Sequence, residues 1–524
     1  MLLGELLEKN AKDIPSKEAL VFQNQRFSYK EINDKVDRIA VQLTRMGVER
    51  GDAVALLIGN KPEIILCGFA CFKIGAMMLP LNYYYKDAEL KYIIGNSEAS
   101  TLIVSEQFQK FNYAERIPNL QPELASPKRI IVIGKPASPD YLSFSDLLET
   151  AVDEKSYDSF NKKKALVDED DDAFLVYTGG TTGLPKGVLV SHRGRYSVDK
   201  SWTDVLGIEP DDRFLLSMPL FHLLPWHIVL GAFINGASVI LTEVFNAKKS
   251  LELIEKEKIT FLLGVPTVYF YLCAEPDIKK YDLSSLRMGI TGGAVFPKER
   301  FQEAEQKLGG FRLLNYFGLT EAAGDVTTVK LDDPREVAET TVGRAIPGFE
   351  IRIVDEDKKP LSVDEEGEIA VKASWFKGYY RNPEATKETF DSDGWLYTGD
   401  TGKLDDEGYL TYIGRIKEMF VSGGNNIYPV EIELVIQKHP KVADAIVVPI
   451  PDEILGEVGV AHIVPKPGES LSKDELIEYC KKELASIKIP KEFVFEEKLP
   501  LTDVGKVDRK VLKKEALDKV RRQS

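Results

Sequence analysis

One segment of the chain has the residue types that bind a polyphosphate. Tyr177-Thr-Gly-Gly-Thr-Thr-Gly-Leu-Pro-Lys-Gly187 begins where the apolar run Ala173 to Tyr177 predicts a buried strand. Glycine lets the backbone close on an anion, and hydroxyl and ammonium groups can contact its oxygens. The segment therefore predicts a nucleotide site at the carboxyl end of a strand, where open parallel sheets place ligands. The predicted phosphate-binding residues are Thr178, Gly179, Gly180, Thr181, Thr182, Gly183 and Lys186.

The spacing does not fit two common nucleotide motifs. A loop of the type Gly-x-x-x-x-Gly-Lys-Ser/Thr is disfavoured because Lys186 follows Pro185 and precedes Gly187. The dinucleotide pattern Gly-x-Gly-x-x-Gly is disfavoured because the glycines stand at 179, 180, 183 and 187. The remaining alternative is a Gly/Thr turn with a solvated lysine. A run of this length with this residue order directly after a strand disfavours that alternative.

These residues resemble the signature of the adenylate-forming enzymes, which include acyl-CoA synthetases, aryl-CoA ligases, luciferases and peptide-synthetase adenylation domains. The family signature reads Tyr-Thr-Ser-Gly-Thr-Thr-Gly-x-Pro-Lys-Gly, and this chain has Gly179 where serine is usual. Loss of one hydroxyl leaves the backbone amides in place, so we expect phosphate binding to persist. The resemblance covers nearly the whole chain and implies ATP, Mg²⁺ and CoA as ligands.

Two further segments resemble the adenine and magnesium elements of this family. In the family's Tyr-Gly-x-Thr-Glu element an aromatic residue flanks adenine, threonine meets phosphate and glutamate binds magnesium; here Phe317 replaces the tyrosine. Taken alone, Thr320 and Glu321 could equally form a helix N-cap with a stabilising acid. Gly292-Gly-Ala294 resembles the adenine-side loop, with a plain turn as the alternative. The nucleotide-binding residues implied here are Gly292, Gly293, Ala294, Asn315, Tyr316, Phe317, Gly318, Thr320 and Glu321, with Glu321 as the magnesium ligand.

Three charged residues complete the nucleotide site that the resemblance implies. Tyr397-Thr-Gly-Asp400 matches the element whose aspartate accepts hydrogen bonds from the ribose, and Arg415 supplies the matching donor. An Asp and an Arg in loops are more often a surface pair that contributes little. Leu499 to Arg509 resembles the motif of the catalytic lysine, here Lys506, although a single lysine in a polar tail is more often solvated. The resemblance implies catalytic roles for Thr178, His222, Glu321 and Lys506.

The resemblance implies two steps, in which an acyl-adenylate forms first and the thiol of CoA then attacks it. In the second step the thiol must reach the place that the catalytic lysine occupies, so one domain must move between the steps. The resemblance places the hinge at Lys417, just after Arg415. It also places Gly423 and Gly424 against the pantetheine arm of CoA, while Asn425 stands where glutamate is common.

The acyl pocket is implied by Pro219-Leu-Phe-His222, whose histidine borders the acyl tunnel in the family. Trp226 and His227 belong to the segment that follows this motif, in which many relatives carry a glycine. Trp226 is either a residue that shortens the tunnel or a core tryptophan. The implied pocket residues are His222, Trp226, His227, Gly292 and Gly318.

The elements that must position these residues alternate between helices and short apolar strands. Ser28 and Glu31 form a capping box before a helical pattern that ends at Gly47, and Ala53 to Ile58 then predicts a strand. This alternation recurs up to Arg312-Leu-Leu314 and predicts a doubly wound α/β body. The charged stretch Asp153 to Asp172 is interpreted as a solvated connector.

The pattern changes after about residue 345. Glu350 to Val354 and Gly367 to Val371 alternate polar and apolar residues, which predicts a small antiparallel β subdomain. Beyond Arg415 the chain predicts a small α+β domain, and the resemblance implies that this domain is mobile. We therefore expect an N-terminal adenylation domain over 1–415 and a C-terminal lid domain over 416–524.

Composition narrows the class of protein. With 524 residues the chain exceeds one usual core, and its formal charge of -15 argues against a nucleic-acid surface. The four cysteines lack metal or disulfide spacing, which favours a reducing cytoplasm. No run approaches the roughly 18 apolar residues of a membrane span. Relatives in the family often pair, so a homodimer is consistent with the resemblance.

The predicted function is that of an ATP-dependent ligase that joins a carboxylic acid to CoA through an acyl-adenylate, with the fatty-acyl enzymes as the nearest pattern. A medium- or long-chain fatty acid is the expected substrate, with an aryl or alicyclic acid as the alternative. An acyl-AMP ligase that loads a carrier protein is a second alternative. A catalytically silent nucleotide or acyl binder is the alternative from another class.

Overall fold

This computed structural model describes residues 1–524 except 125, 179–183, 295, 423–424, 453–454, 503–505 and 524. Its helices are Leu3–Asp13, Tyr29–Arg45, Pro62–Ile74, Asp87–Ser97, Tyr113–Leu120, Phe144–Glu149, Glu154–Lys164, His192–Leu206, Trp226–Asn235, Ala247–Glu257, Pro266–Cys273, Lys298–Lys307, Arg335–Thr340, Pro383–Thr389, Pro429–Gln437, Lys473–Glu483 and Arg509–Gln523. Short 3₁₀ turns lie at Gln121–Glu123, Ile278–Lys280, Thr320–Ala322 and Ser486–Lys488.

Two large mixed sheets form the body. The first has the strand order Arg344–Ala345, Gly324–Thr328, Arg312–Leu319, Met288–Thr291, Phe261–Gly264, Arg213–Leu216, Ser238–Leu241, Glu18–Phe22 and Gln25–Ser28. The second has the order Lys186–Ser191, Asp172–Thr178, Met77–Pro80, Ala53–Leu57, Thr101–Ser105, Arg129–Ile133 and Leu142–Ser143. Both are mostly parallel, with antiparallel strands at the edges.

The second sheet is covered by helices on both faces. Val54 and Leu56 pack into the core shared with the first sheet, whereas Ala53, Ala55 and Leu57 pack into a separate core on the opposite face. Because successive side chains of a strand point to opposite faces, a strand that is apolar throughout must be covered twice. The doubly wound body predicted from the sequence is confirmed.

Two smaller units follow. The third sheet is antiparallel, in the order Glu350–Val354, Gly367–Lys372, Trp395–Leu404 and Leu410–Arg415. The fourth sheet has the order Asn425–Ile427, Phe420–Ser422, Gly456–Pro465 and Val442–Asp452, with Glu492–Phe495 pairing parallel to Gly456–Pro465. Together with its helices this last sheet forms the predicted α+β unit, and the expected boundary at 415/416 lies between the third and fourth sheets.

Two local expectations differ from the structure. The stretch read as a solvated connector contains the helix Glu154–Lys164, because Asp153 caps it by accepting a hydrogen bond from Ser156 N and Phe160 is buried. The strand predicted at Arg312-Leu-Leu314 does not end there but continues through Asn315 to Leu319. The pairing of this strand with Gly324–Thr328 extends it beyond the short apolar run visible in the sequence.

Among the described residues, no helix combines the length and the apolar character that crossing a bilayer requires.

Candidate functional site

The predicted phosphate segment is the turn of a hairpin. Thr178 ends the strand Asp172–Thr178, Lys186 begins the antiparallel strand Lys186–Ser191, and the two residues face each other across the ladder. The residues between them that the sequence singles out, Gly179, Gly180, Thr181, Thr182 and Gly183, lie outside the described residues. The ladder therefore fixes the two ends of the segment.

Tyr379 connects this hairpin to the predicted magnesium ligand. Its hydroxyl donates to Glu321 Oε1 at 2.9 Å, and Lys186 Nζ lies 5.2 Å from the centroid of its ring. The backbone of Tyr379 pairs with Val188. Burial and the Glu321 carboxylate raise the pKa of Tyr379, so the phenol stays protonated and able to donate. Sequence reasoning missed this residue because no motif singles it out.

Thr320 and Glu321 lie in the 3₁₀ turn Thr320–Ala322, which contacts the strand Lys186–Ser191. No helix follows the turn, so the alternative of a helix N-cap does not apply there. Glu321 is partly exposed and therefore accessible to a ligand. The turn thus brings a carboxylate and a hydroxyl beside the phosphate hairpin.

The strand that precedes this turn carries residues of unequal accessibility. Asn315 is buried and its amide donates to the carbonyl of Ala338, which gives it a structural contact. Phe317 packs against Tyr412 with 6.0 Å between ring centroids. Gly318 pairs with Asp325 on the next strand.

The glycines after the strand Met288–Thr291 allow close approach of two neighbours. A methyl group on Gly292 would come within 2.4 Å of the ring of Tyr316, and one on Gly293 within 3.0 Å of Lys506 Nζ. Gly293 also has a φ of +73°, which favours glycine. Ala294, the third residue of this loop, is exposed. The structure therefore brings the lysine of the C-terminal unit to the predicted adenine-side loop.

Lys506 is held in a poorly hydrated environment. Burial, together with the nearby charge of Arg415, lowers its pKa to about 8, while Asp400 and Glu418 oppose the shift. Burial, with a contribution from the Lys506 charge, lowers the pKa of His222 to about 3. His222 is therefore a neutral imidazole, and these electrostatic interactions place it close to Lys506. Glu418 was not singled out from the sequence.

Asp400 and Arg415 pair across the third sheet. They face each other in register, and Arg415 Nε lies 3.4 Å from Asp400 Oδ1. Burial raises the pKa of Asp400 to about 6, although Arg415, the Tyr412 hydroxyl and Lys506 all lower it. The Tyr412 hydroxyl donates to Asp400 Oδ1 at 3.4 Å. The pair is thus not a loop contact but a cross-strand pair in which the carboxylate is buried.

Trp226 and His227 occupy buried positions. The Trp226 indole donates to the carbonyl of Leu220 at 2.9 Å, and its ring packs edge-on against Phe72 and Phe174. His227 Nδ1 lies 2.6 Å from Asp199 Oδ1 and has no exposed surface. For Trp226 this packing favours the core alternative over a pocket wall.

The expected hinge and CoA contacts lie between the third and fourth sheets. Lys417 is exposed in a turn that begins after Arg415, where Glu418 N donates to the carbonyl of Arg415. Gly423 and Gly424 lie outside the described residues. Arg509, which begins the helix that follows Lys506, donates two hydrogen bonds to Glu433 at 2.7 Å and thereby fixes the chain next to Lys506.

Taken together, these groups suit a triphosphate whose α-phosphate is attacked. Lys186 lies beside Tyr379 and Lys506 lies beside Gly293, and both can supply positive charge, while Asp400 can accept hydrogen bonds from a ribose. One accessible carboxylate, Glu321, suits Mg²⁺, which takes one or two protein carboxylates together with phosphate oxygens and water.

Comparison with known proteins decides the family. The profile of the AMP-binding enzyme family matches residues 7–380, and that of the AMP-binding enzyme C-terminal domain matches residues 431–506. This chain belongs to the AMP-binding enzyme family. The resemblance to adenylate-forming enzymes inferred from the sequence is confirmed.

Two relatives of this chain are CoA ligases that act on different acids. A 3-[(3aS,4S,7aS)-7a-methyl-1,5-dioxo-octahydro-1H-inden-4-yl]propanoyl:CoA ligase of Rhodococcus jostii (strain RHA1) is 35% identical over 517 residues, covering 97% of this chain and 98% of the relative. The medium-chain fatty-acid--CoA ligase of Escherichia coli (strain K12) is 32% identical, covering 98% of this chain and 90% of the relative. The prediction of an AMP-forming acyl-CoA synthetase is confirmed.

A solved structure shares the whole fold. The crystal structure of the anthranilate CoA ligase AuaEII in complex with anthranoyl-AMP superposes with a TM-score of 0.89 at 27% identity, covering 99% of this chain and 98% of the other.

We predict that the ammonium of Lys506 titrates near pH 8 in the free protein, because burial favours its neutral form. Asp400→Asn should lower this pKa further, since Asp400 is ionised at pH 8 and its charge stabilises the ammonium. NMR titration of ¹³C-methylated lysines measures the value, with Lys506→Arg identifying the signal. A midpoint near the ordinary lysine value of 10.5, unchanged by Asp400→Asn, contradicts the described environment.

Proposed function

We propose that this AMP-binding enzyme is an ATP-dependent carboxylic acid:CoA ligase. The acid and ATP give an acyl-adenylate and pyrophosphate, and CoA then displaces AMP to give the thioester. The observation that carries the proposal is the approach of Lys506 to Gly293, beside His222 and the Asp400–Arg415 pair. Such an arrangement supplies charge and orientation around an α-phosphate, which is what phosphoryl chemistry between two anions needs.

In the first step, a carboxylate oxygen attacks the α-phosphorus and the bond to pyrophosphate breaks. Lys506 offsets the charge that grows on the phosphate oxygens in the transition state. Thr178 and Lys186, at the two ends of the hairpin, contact the phosphates, and Asp400 holds the ribose. Neutral His222 borders the acid without adding a competing charge. Gly179, Gly180, Thr181, Thr182 and Gly183, which lie outside the described residues, are proposed to complete the phosphate contacts.

Magnesium is proposed to bind with ATP at Glu321, where it would neutralise phosphate charge. Tyr379 donates to Oε1 of this carboxylate at 2.9 Å and so fixes its orientation. Glu321 remains free to offer its second oxygen to the ion, which is the chemistry expected of a single protein ligand.

In the second step, the thiolate of CoA attacks the adenylate carbonyl and AMP leaves. Lys506 occupies the approach to Gly293, so we propose that the 416–524 domain rotates about Lys417 between the steps. Gly423 and Gly424 are then proposed to line the path of the pantetheine arm.

We propose a medium- or long-chain fatty acid as the substrate. An aryl or alicyclic acid is the second candidate, because the Rhodococcus relative is named for a substituted indenyl propanoate and the solved CoA ligase for the aromatic acid anthranilate. We propose that His222, Gly292 and Gly318 line the acyl pocket, whereas Trp226 and His227 are fully buried among protein groups. Transfer of the acyl group to a carrier protein and pairing as a homodimer stay predictions.

A screen of carboxylic acids tests the function directly. With ATP and magnesium, the accepted acid should release pyrophosphate before CoA is added, and CoA should then be consumed with formation of AMP. Pyrophosphate release without any use of CoA indicates transfer to another acceptor. No release with any acid, while ATP still binds, indicates a silent binder and overturns the proposal.

Lys506→Ala should reduce adenylate formation by about 10²–10³-fold, the cost of removing one preorganised group from a charged transition state. ATP affinity should stay largely unchanged, because the ribose and phosphate contacts lie elsewhere. Single-turnover pyrophosphate release and ATP titration measure the two effects. Lys510→Ala is the matched control, since Lys510 is an exposed lysine on the same segment. An adenylation rate close to that of the wild type refutes the role.

Lys417→Pro should spare adenylation and suppress thioester formation, because proline fixes one backbone angle at the proposed hinge. The two half-reactions are measured separately, as pyrophosphate release without CoA and as thioester formation from preformed adenylate. Lys417→Ala serves as the control that removes the side chain and keeps the backbone free. Equal loss of both half-reactions in the proline variant counts against the hinge.

A further inference from the structure

A cluster of fully buried charged side chains lies directly behind the Thr320–Ala322 turn. We call Arg195, Asp199, His227 and Asp325 the buried quartet; none of the four side chains is more than 1% exposed. Buried ionisable groups are costly unless they are paired, so their presence beside the site requires a reason.

The charges of the buried quartet balance internally. Arg195 Nε and one terminal nitrogen donate to the two oxygens of Asp199, each at 2.8 Å, in the two-pronged geometry that suits a guanidinium. Burial and the Arg195 charge lower the pKa of His227 to about 4, so its ring is neutral. Burial raises the pKa of Asp325 well above its usual value. The quartet therefore contains a two-pronged Arg195–Asp199 ion pair and a neutral His227, and burial disfavours the charged form of Asp325.

The third arm of Arg195 holds the backbone of the turn. Its other terminal nitrogen donates to the carbonyl of Ala323 at 2.9 Å. The amide of Ala323 donates to the carbonyl of Thr320 at 3.0 Å, which closes the turn that carries Glu321. A methyl group on Gly324 would lie 2.5 Å from His227 Nε2 and 3.2 Å from Arg195, so both side chains press against this backbone.

Ala323 needs such support because its backbone is strained. Its φ is +69°, in the left-handed region that L-residues with a Cβ rarely adopt. Glycine is the usual residue in this conformation, and strained backbone persists only where surrounding contacts fix it. The contact from Arg195 to the Ala323 carbonyl is that fixing contact.

We infer that Arg195, oriented by Asp199 and His227, is a positioning residue that holds Ala323 in its left-handed conformation and thereby presents Glu321 to magnesium and ATP. The inference rests on the proposed function in assigning magnesium to Glu321. Arg195 itself touches no reacting atom. It acts through the turn, which Tyr379 fixes from the opposite side by donating to Glu321.

The experiment is a double-mutant cycle with Arg195→Lys and Ala323→Gly. Lysine keeps the charge but cannot reproduce the three-armed contact, whereas glycine adopts the left-handed conformation without strain. In Arg195→Lys we expect the magnesium concentration for half-maximal adenylation to rise about tenfold, the size of effect given by loss of one charge-assisted hydrogen bond. The KM for the acid should be unchanged. Adding Ala323→Gly should recover most of the loss, and Ala323→Gly alone should behave like the wild type.

Arg213→Lys is the matched control, because Arg213 also pairs with buried Glu257 but lies outside the site. It should lower the melting temperature without changing the magnesium dependence. If Arg195→Lys loses the same activity with and without Ala323→Gly, or if only the KM for the acid changes, the inference is wrong.

Hydrogen–deuterium exchange of the unliganded protein tests the same inference without activity. Arg195→Lys should speed exchange in residues 319–325, and Ala323→Gly should slow it again in that background. If the wild type accepts no acid, the proposed function fails while this measurement still decides the role of Arg195. Unchanged exchange in Arg195→Lys overturns the inference.

Discussion

The proposed reaction depends on one constraint, which is that the ammonium of Lys506 lies beside the loop where we propose that a carboxylate and the α-phosphate meet. Lys506 approaches Gly293 so closely that a methyl group there would lie 3.0 Å from its Nζ. Burial and the nearby Arg415 charge lower its pKa to about 8, which means that its charged form is disfavoured in the free protein. An ammonium that has already lost much of its hydration needs little further reorganisation when phosphate charge develops. Asp400, Arg415 and Glu418 adjust its electrostatic environment.

The other elements of the site hold the remaining charged and polar groups of the proposed nucleotide site. Thr178 and Lys186 lie on the two strands at one edge of the second sheet, the strand Arg312–Leu319 of the first sheet leads into the turn that carries Glu321, and Tyr379 contacts both Glu321 and Lys186. The third sheet adds the Asp400–Arg415 pair, and the Arg509–Glu433 contact anchors the lysine loop in the C-terminal unit. Charged groups that are far apart in the chain are therefore proposed to act on one nucleotide.

The buried quartet extends this organisation below the surface of the site. The turn that carries Glu321, the proposed magnesium ligand, continues into Ala323, whose left-handed backbone is disfavoured for a residue with a Cβ. A balanced ion pair on the helix His192–Leu206 supplies the missing constraint from the core. The strained backbone of Ala323 and the buried charge of Arg195 are each unfavourable alone. They are compatible because Arg195 donates to the Ala323 carbonyl, which holds the backbone and gives the guanidinium a partner.

The sequence alone determined the strands of the body, the antiparallel unit, the α+β unit and the family, because hydrophobic period and loop signatures are local in the chain. It did not reveal the helix Glu154–Lys164, whose charged face conceals one buried aromatic, Phe160. Only the tertiary structure decided that the Asn315 amide bonds to the carbonyl of Ala338 and that Trp226 packs in the core. It also decided that Tyr379 contacts Glu321, that Glu418 lies near Lys506 and that Arg195 contacts the Ala323 carbonyl. The physical reason is that burial, pKa and backbone strain depend on neighbours distant in sequence, which no local pattern records.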